Sequence, residues 1–141
     1  MSSNLWAGTW TYRSLINNPD GTVSFNDLEF GEGTIVIHDS AQSEVLTGTI
    51  GGPDWSLDLY GSRSYGSPAQ VRFQGKGNVG GEPWIYDYIG WLVPTWPNST
   101  PAQQTDAFVG SVVRTIPHND GNGGIAPAGV VASFYSVRVS R

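Results

Sequence analysis

The chain has 141 residues and a mass of 15.1 kDa, which is the length of one domain with one hydrophobic core. Hydrophobic residues make up 38% of the chain and charged residues only 13%, a composition that excludes a disordered chain and a coiled coil. The formal net charge is −5, and the few Lys and Arg residues are scattered rather than clustered as phosphate binding requires. We therefore expect one domain over 1–141 and no nucleic-acid partner.

Targeting and redox signals are sparse. Cysteine is absent, which excludes disulfides, thiolate metal sites and a cysteine nucleophile. The first residues contain neither a basic region nor an apolar run, so no signal peptide is expected. No window approaches the roughly eighteen consecutive apolar residues of a membrane-spanning helix. We expect a cytoplasmic protein without a membrane partner.

Short β-type runs separated by Gly, Pro, Asn and Asp clusters extend along the chain, and no long run has helical periodicity. The pattern predicts about eight strands, over residues 5–13, 28–38, 44–50, 55–61, 69–77, 84–93, 107–116 and 129–139. The three longest connections, 14–27, 94–106 and 117–128, each contain Pro and Asn and are expected as surface loops.

Consecutive strands without helices between them form antiparallel sheets, which close as an up-and-down barrel or pack as a sandwich. Glycines within the strands, as at 30–33 and 73–77, favour the barrel because they permit the bending that closure requires. Closure also removes exposed sheet edges, which this chain has little charge to protect. We expect an all-β fold, a single eight-stranded antiparallel up-and-down barrel.

The two ends of the chain carry a recognisable pattern. Gly8-Thr9-Trp10 places a Gly-x-Trp in the first predicted strand, and Arg138 lies in the last. This pattern resembles that of the calycins, the group of lipocalins, fatty-acid-binding proteins and avidins. The resemblance implies a calycin-like barrel in which the first-strand Trp plugs the closed end and a basic residue of the last strand packs near it. Closure would bring Trp10 and Arg138 together, with cation–π attraction between them.

Alternating strand directions divide the connections between the two ends of the barrel. The connections that would share one end are 14–27, 51–54, 78–83 and 117–128. The chain start, with Trp6 and Trp10, would lie at the other, plugged end. The end with two long loops is the predicted mouth, where such barrels bind ligands.

The sixth predicted strand, 84–93, is unusually aromatic. One of its faces carries Trp84, Tyr86 and Tyr88, which suit either a core or the wall of a pocket for a planar ligand. The other face carries Asp87 alone among apolar residues. An isolated carboxylate of this kind needs a cation or a ligand as its partner.

Arg114 on the seventh predicted strand and Arg72 on the fifth are the candidate partners of Asp87. We predict that Asp87 and Arg114 face one cavity and orient a polar group of the ligand. The alternatives are a structural ion pair and an Asp87 that faces outward. The predicted ligand-binding residues are Trp84, Tyr86, Tyr88, Asp87, Arg114, Arg72 and Trp55.

Catalytic and cofactor motifs are few. His118 opens the loop 117–128 near the predicted mouth, where it is either an acid–base group above the ligand or a solvated loop residue. His38 would lie at the opposite end, so the two histidines do not predict a metal site. The Gly-x-Gly-x-x-Gly at 75–80 is followed by another β-type run rather than a helix, unlike a dinucleotide site. We expect neither a metal nor a cofactor.

Three functions remain open at this point. The first is binding of a small hydrophobic or aromatic molecule in the lumen. The second is a barrel enzyme of the isomerase or cyclase type, with Asp87, Tyr86 or Tyr88, and Arg114 as acid–base and charge-stabilising groups, and His118 as a further catalytic candidate. The third is a carbohydrate-binding module, which exposure of Trp55 and Trp96 would favour.

Apolar residues on both faces of the sixth to eighth strands also predict a homodimer through these strands.

Overall fold

The computed structural model describes residues 5–40, 42, 44–64, 66 and 68–140. The strands in these residues are β1 (Gly8–Ile16), β2 (Glu29–Ile37), β3 (Val45–Gly52), β4 (Trp55–Ser64), β5 (Gln70–Val79), β6 (Glu82–Leu92), β7 (Ala107–Arg114), β8 (His118–Asn119), β9 (Ile125–Ala126) and β10 (Val131–Ser140). Two short 3-10 helices, Phe25–Leu28 and Pro101–Gln103, lie in connections. The predicted single domain over 1–141 includes residues 1–4 and 141, which lie outside the described residues, and it stays a prediction.

Eight of the strands close into an antiparallel up-and-down barrel in the order β1-β10-β7-β6-β5-β4-β3-β2. Neighbouring strands in the barrel are also neighbours along the chain, with two exceptions. β1 pairs with β10 to close the barrel, and β10 follows β7 after a small hairpin made of β8 and β9. β1 pairs with both β2 and β10, so the sheet has no free edge. The all-β barrel is confirmed, and the sandwich is not formed.

The main departure from the predicted elements lies between β7 and β10. The sequence predicts a loop over 117–128, but His118–Asn119 and Ile125–Ala126 pair as an antiparallel hairpin. Gly121 and Gly123 in its turn have φ of 84°, a left-handed conformation that glycine adopts without strain. The sequence pattern misses this hairpin because each of its strands is only two residues long.

The alternation of side chains along each strand separates a lumen from an outer surface. Residues in the lumen are buried, and most are large and apolar. They include Ile35, Ile37, Leu46, Ile50, Leu57, Leu59, Val71, Phe73, Phe108, Val112 and Phe134. The described part of the chain contains no helix with the length and apolar character of a membrane span.

One end of the barrel is plugged by aromatic rings. Trp6 and Trp10 are fully buried there, and Trp10 Nε1 donates a hydrogen bond to the Trp6 carbonyl oxygen at 2.9 Å. The Phe108 ring packs edge-on against both indoles, with centroid distances of 5.2 and 4.8 Å. This cluster closes the lumen at the end where the chain enters the barrel.

Arg138 of β10 connects the aromatic plug to the surrounding chain. It lies opposite Trp10 in the β1–β10 register, and its guanidinium carbon is 4.2 Å from the Trp10 ring centroid. The same guanidinium forms an ion pair with Asp106 at 2.8 Å and donates to the carbonyl oxygens of Leu5 and Ala7. The predicted contact between Trp10 and Arg138 is therefore confirmed.

Glycines allow close approach of β6 and β7. Gly90 of β6 and Gly110 of β7 are direct partners in the register. A Cβ atom on Gly110 would lie 1.9 Å from the Ile89 carbonyl oxygen, and one on Gly90 would lie 3.1 Å from the Phe134 ring. The absence of a side chain at Gly90 leaves room for the Phe134 ring, and its absence at Gly110 lets β7 lie against the backbone of β6.

Two tyrosines lie at the centre of the barrel. Tyr12 and Tyr88 are both buried, their ring centroids are 6.0 Å apart, and Tyr12 Oη donates to Ser14 Oγ at 2.8 Å. Burial in this apolar interior raises the pKa of Tyr88, and the neighbouring Tyr12 raises it further. Burial likewise raises the pKa of Tyr12 well above its usual value. Both side chains thus retain their protons at pH values at which an exposed tyrosine ionises.

These tyrosines predict a loss of stability in alkali. Above the ordinary tyrosine pKa of 10.0, the unfolded chain releases protons that the folded barrel retains, so the free energy of unfolding falls as the pH rises. We expect a slope of about 1.4 kcal/mol per pH unit for each of the two tyrosines, measured by urea unfolding between about pH 10 and 12. Tyr88→Phe should reduce this slope, whereas Tyr60→Phe, at an exposed tyrosine, should leave it unchanged. If the free energy of unfolding of Tyr88→Phe fell as steeply with pH as that of the wild type, Tyr88 would not be a source of the alkaline instability.

Candidate functional site

The end of the barrel opposite the plug contains a cavity of about 880 Å³. Its lining includes residues of the β3–β4 and β5–β6 connections and of the β8–β9 hairpin, at the end that the sequence predicts as the mouth. Five aromatic side chains line it, namely Phe30, Trp55, Trp84, Tyr86 and Tyr88. Its volume is in the range typical of small-molecule pockets.

β6 supplies most of the aromatic wall because its alternate residues face the lumen. Trp84, Tyr86 and Tyr88 all line the cavity, and Trp55 at the start of β4 lies 6.3 Å from Trp84 between ring centroids, with the planes tilted by 33°. On β5, Gly75 pairs with Tyr86 and Gly77 with Trp84 in the register. The small residues on β5 therefore leave room for large rings on β6.

A chain of hydrogen bonds crosses the wall of the cavity. Arg114 Nε donates to Tyr86 Oη at 2.9 Å, and Tyr86 Oη lies 2.7 Å from His118 Nε2. The other ring nitrogen of His118, Nδ1, lies 2.7 Å from the Asn119 carbonyl oxygen. Because a carbonyl oxygen only accepts, Nδ1 carries the proton, and in the neutral ring Nε2 accepts from the Tyr86 hydroxyl.

The structure buries His118, which is only 6% exposed. Its ring stacks on Trp84 with a centroid distance of 4.0 Å and an interplanar angle of 13°. The β8–β9 hairpin holds it there, since His118 pairs with Ala126. The alternative of a solvated loop histidine is therefore wrong, and His118 is part of the cavity wall.

Arg114 lies at the edge of the same wall. Its guanidinium carbon is 4.8 Å from the Phe30 ring centroid, and Nη1 donates to the Pro127 carbonyl oxygen at 3.2 Å. Among the described residues, no carboxylate lies within ion-pairing distance of Arg114 and none of their atoms accepts a hydrogen bond from Nη2. A guanidinium has five donor N–H groups, so Arg114 retains donors for a bound molecule.

Three acidic residues, Asp54, Glu82 and Asp120, also line the cavity. Asp120 accepts hydrogen bonds from the backbone N–H groups of Asn122 and Gly124, at 2.7 and 3.1 Å, and these bonds hold its pKa below the usual range. Asp120 thereby fixes the turn of the β8–β9 hairpin. The exposed Asp54 and the half-buried Glu82 belong to the β3–β4 connection and the start of β6.

The predicted pairing of Asp87 with Arg114 in one cavity is wrong. The β6–β7 register places Tyr86 opposite Arg114 and Asp87 opposite Val113, so Asp87 and Arg114 belong to opposite faces of the sheet. Asp87 lies on the outer face, where it accepts hydrogen bonds from Gln74 Nε2 at 3.0 Å and from Thr115 Oγ1. The alternative of an outward-facing aspartate is the one that the structure shows.

Arg72 also lies outside the lumen. It is exposed on β5 between the buried Val71 and Phe73, and it pairs in register with Ile89 on the outer face of β6. The structure therefore gathers Trp55, Trp84, Tyr86, Tyr88, Arg114 and His118 around the cavity. It leaves Asp87 and Arg72 on the outside of the barrel.

Phe30 is the main residue that sequence reasoning missed. It enters the sequence pattern only as the start of the glycine-containing stretch 30–33, yet its ring lies 6.0 Å from that of Tyr86 and under the Arg114 guanidinium. Its position at the mouth end of β2 is the signal that could have placed it in the cavity. No group of three or more His, Asp or Glu residues that could hold a metal occurs in the described ranges.

Comparisons with known proteins identify no similar protein. The chain matches no protein-family model, no curated protein and no solved structure. The barrel and the Trp10–Arg138 contact that the resemblance to calycins implied are both present, and no matched protein confirms the resemblance itself.

Proposed function

We propose that this protein binds a small hydrophobic or aromatic molecule in the open half of its barrel. The observation that carries the proposal is the cavity of about 880 Å³ lined by five aromatic side chains at the unplugged end. A cavity of this size accommodates a compact ring system, and aromatic walls favour planar ligands through offset and edge-to-face contacts. Trp55 and Trp84 supply the largest apolar surfaces of this wall.

A few polar groups in the cavity would orient such a ligand. Arg114 has donors that no described residue uses, and Tyr86 Oη has an oxygen lone pair beyond its two hydrogen bonds. A ligand with one polar oxygen therefore fits better than a pure hydrocarbon, because covering Arg114 without an acceptor would leave a buried charge unsatisfied.

The carbohydrate-binding alternative receives less support. Trp96 is 67% exposed, but it lies on the β6–β7 connection at the plugged end. Trp55 lies in the cavity at the mouth and packs near Trp84. The two indoles thus do not form the shared flat platform on which a sugar chain would stack.

A tryptophan substitution tests the proposal. We expect isothermal titration calorimetry to detect binding of at least one of indole, 2-naphthol and quinoline. Trp55→Leu should weaken that binding about tenfold, equivalent to about 1.4 kcal/mol, because it removes a wall of the cavity. Trp96→Leu, at an exposed indole outside the cavity, is the matched control and should bind as the wild type does. Failure of all three probes to bind, or an equal affinity in Trp55→Leu, would overturn the proposal.

We also propose that two copies of the chain associate through the outer surface of β6, β7 and β10. Trp91 and Tyr135 are each 40% exposed there, and Val109 lies between them in the register. Val131 and Ile89 extend this apolar strip along the same strands. The five named residues of the strip are uncharged, and Asp87 lies beside them on the outer face of β6, in the register row of Val131.

Sedimentation at micromolar concentration tests the dimer. We expect twice the chain mass of 15.1 kDa for the wild type and for Tyr60→Lys, whose exposed tyrosine lies on β4 away from the strip. Trp91→Lys should sediment with the monomer mass, because association of two copies would then bury one lysine ammonium group from each. A monomeric wild type would overturn the proposed dimer and leave the proposed ligand binding unaffected.

The cytoplasmic location of the protein also stays a prediction.

A further inference from the structure

We infer that the cavity is also a catalytic site, in which Tyr86 and His118 transfer a proton of an enolisable carbonyl compound. The reaction class is isomerisation through an enolate, without a metal or a cofactor as co-reactant. The inference rests on the proposed function, because the substrate must first occupy the aromatic cavity. It revises the enzyme alternative by replacing Asp87, which lies on the outer face, with His118.

The geometry supports proton transfer because its participants are already connected. Tyr86 Oη accepts from Arg114 Nε at 2.9 Å and donates to His118 Nε2 at 2.7 Å. The hydroxyl and the imidazole belong to residues that both line a cavity large enough for a substrate, and both residues are buried, with 8% and 6% exposure. Tyr88, the other tyrosine in this wall, lies in the apolar interior beside Tyr12, and no histidine or arginine among the described residues is hydrogen-bonded to its hydroxyl.

The proposed step moves two protons along the hydrogen-bonded chain. The C–H bond next to the substrate carbonyl breaks, and its proton moves to Tyr86 Oη while the original hydroxyl proton moves to His118 Nε2. The electron pair of the C–H bond becomes the carbon–carbon double bond of the enolate, and the carbonyl oxygen takes the negative charge. Return of the proton through Tyr86 to the same or another carbon regenerates the neutral histidine and completes an exchange or an isomerisation.

Each charge that develops in this step has a partner. The enolate oxygen would be bound by Arg114 Nη2, which donates to no described residue, while Nε of the same guanidinium holds Tyr86. The imidazolium would keep its Nδ1 hydrogen bond to the Asn119 carbonyl oxygen and would stack on the Trp84 ring 4.0 Å away. Stacking on an indole face stabilises a cation.

Hydrogen–deuterium exchange of ketones tests the inference. The probes are phenylacetone, 2-indanone and 2-tetralone in deuterated buffer, with exchange next to the carbonyl followed by proton NMR and binding measured separately by calorimetry. For at least one ketone we expect the wild type to exceed the buffer rate. Tyr86→Phe and His118→Gln should each lower the protein-catalysed rate about a hundredfold, in the range of general acid–base effects. Both variants should bind the ketone within about threefold of wild type, because ring and amide preserve the wall.

His38→Gln is the matched control, since this histidine follows β2 at the plugged end, and it should exchange ketones at the wild-type rate. Exchange that survives in Tyr86→Phe, or a bound ketone that exchanges no faster than in buffer, would overturn the catalytic inference and leave ligand binding intact. Absence of ketone binding, together with absence of binding by the neutral aromatic probes, would overturn the proposed function and the inference that rests on it.

Discussion

The pairing of β1 with β10 is the interaction on which the rest of the structure depends. It joins the first and last strands of the sheet and is fastened by Arg138, which contacts the Trp10 ring, pairs with Asp106 and donates to backbone oxygens of the chain start. Without closure, both terminal strands would expose edges in a chain that is only 13% charged. Closure also gives the sheet an inside and an outside, and it is this division that assigns each side chain to the lumen or to the surface.

The two ends of the lumen differ because different side chains reach them. At one end, Trp6, Trp10 and Phe108 fill the interior with edge-on aromatic contacts. At the other end, glycines on β5 face the rings of β6, and the space between the walls stays open as the cavity. The polar side chains at this end are hydrogen-bonded to one another, in the order Arg114, Tyr86 and His118. A preorganised chain of this kind suits both recognition and proton transfer.

The fold could be predicted from the sequence because strand alternation, turn residues and internal glycines all act locally. The same local pattern placed Trp84, Tyr86 and Tyr88 on one face. The local pattern could not identify the neighbours of Asp87, because the residues that share its face of the sheet are set by the register between strands. The register places Asp87 opposite Val113 rather than Arg114. The local pattern could not place His118 either, since the two-residue strands of its hairpin carry no periodic signal and its contact with Tyr86 joins residues 32 positions apart.

The open end of the barrel is the proposed binding site, and the indole N–H resonances of the six tryptophans report on each part of the barrel separately. Trp6 and Trp10 report on the plug, Trp55 and Trp84 on the cavity, and Trp91 and Trp96 on the outer surface. In a nitrogen-15 NMR titration with any bound aromatic probe, we expect the Trp55 and Trp84 resonances to shift while those of Trp6 and Trp10 stay in place. Shifts confined to Trp91 or Trp96, with Trp55 and Trp84 unmoved, would contradict it.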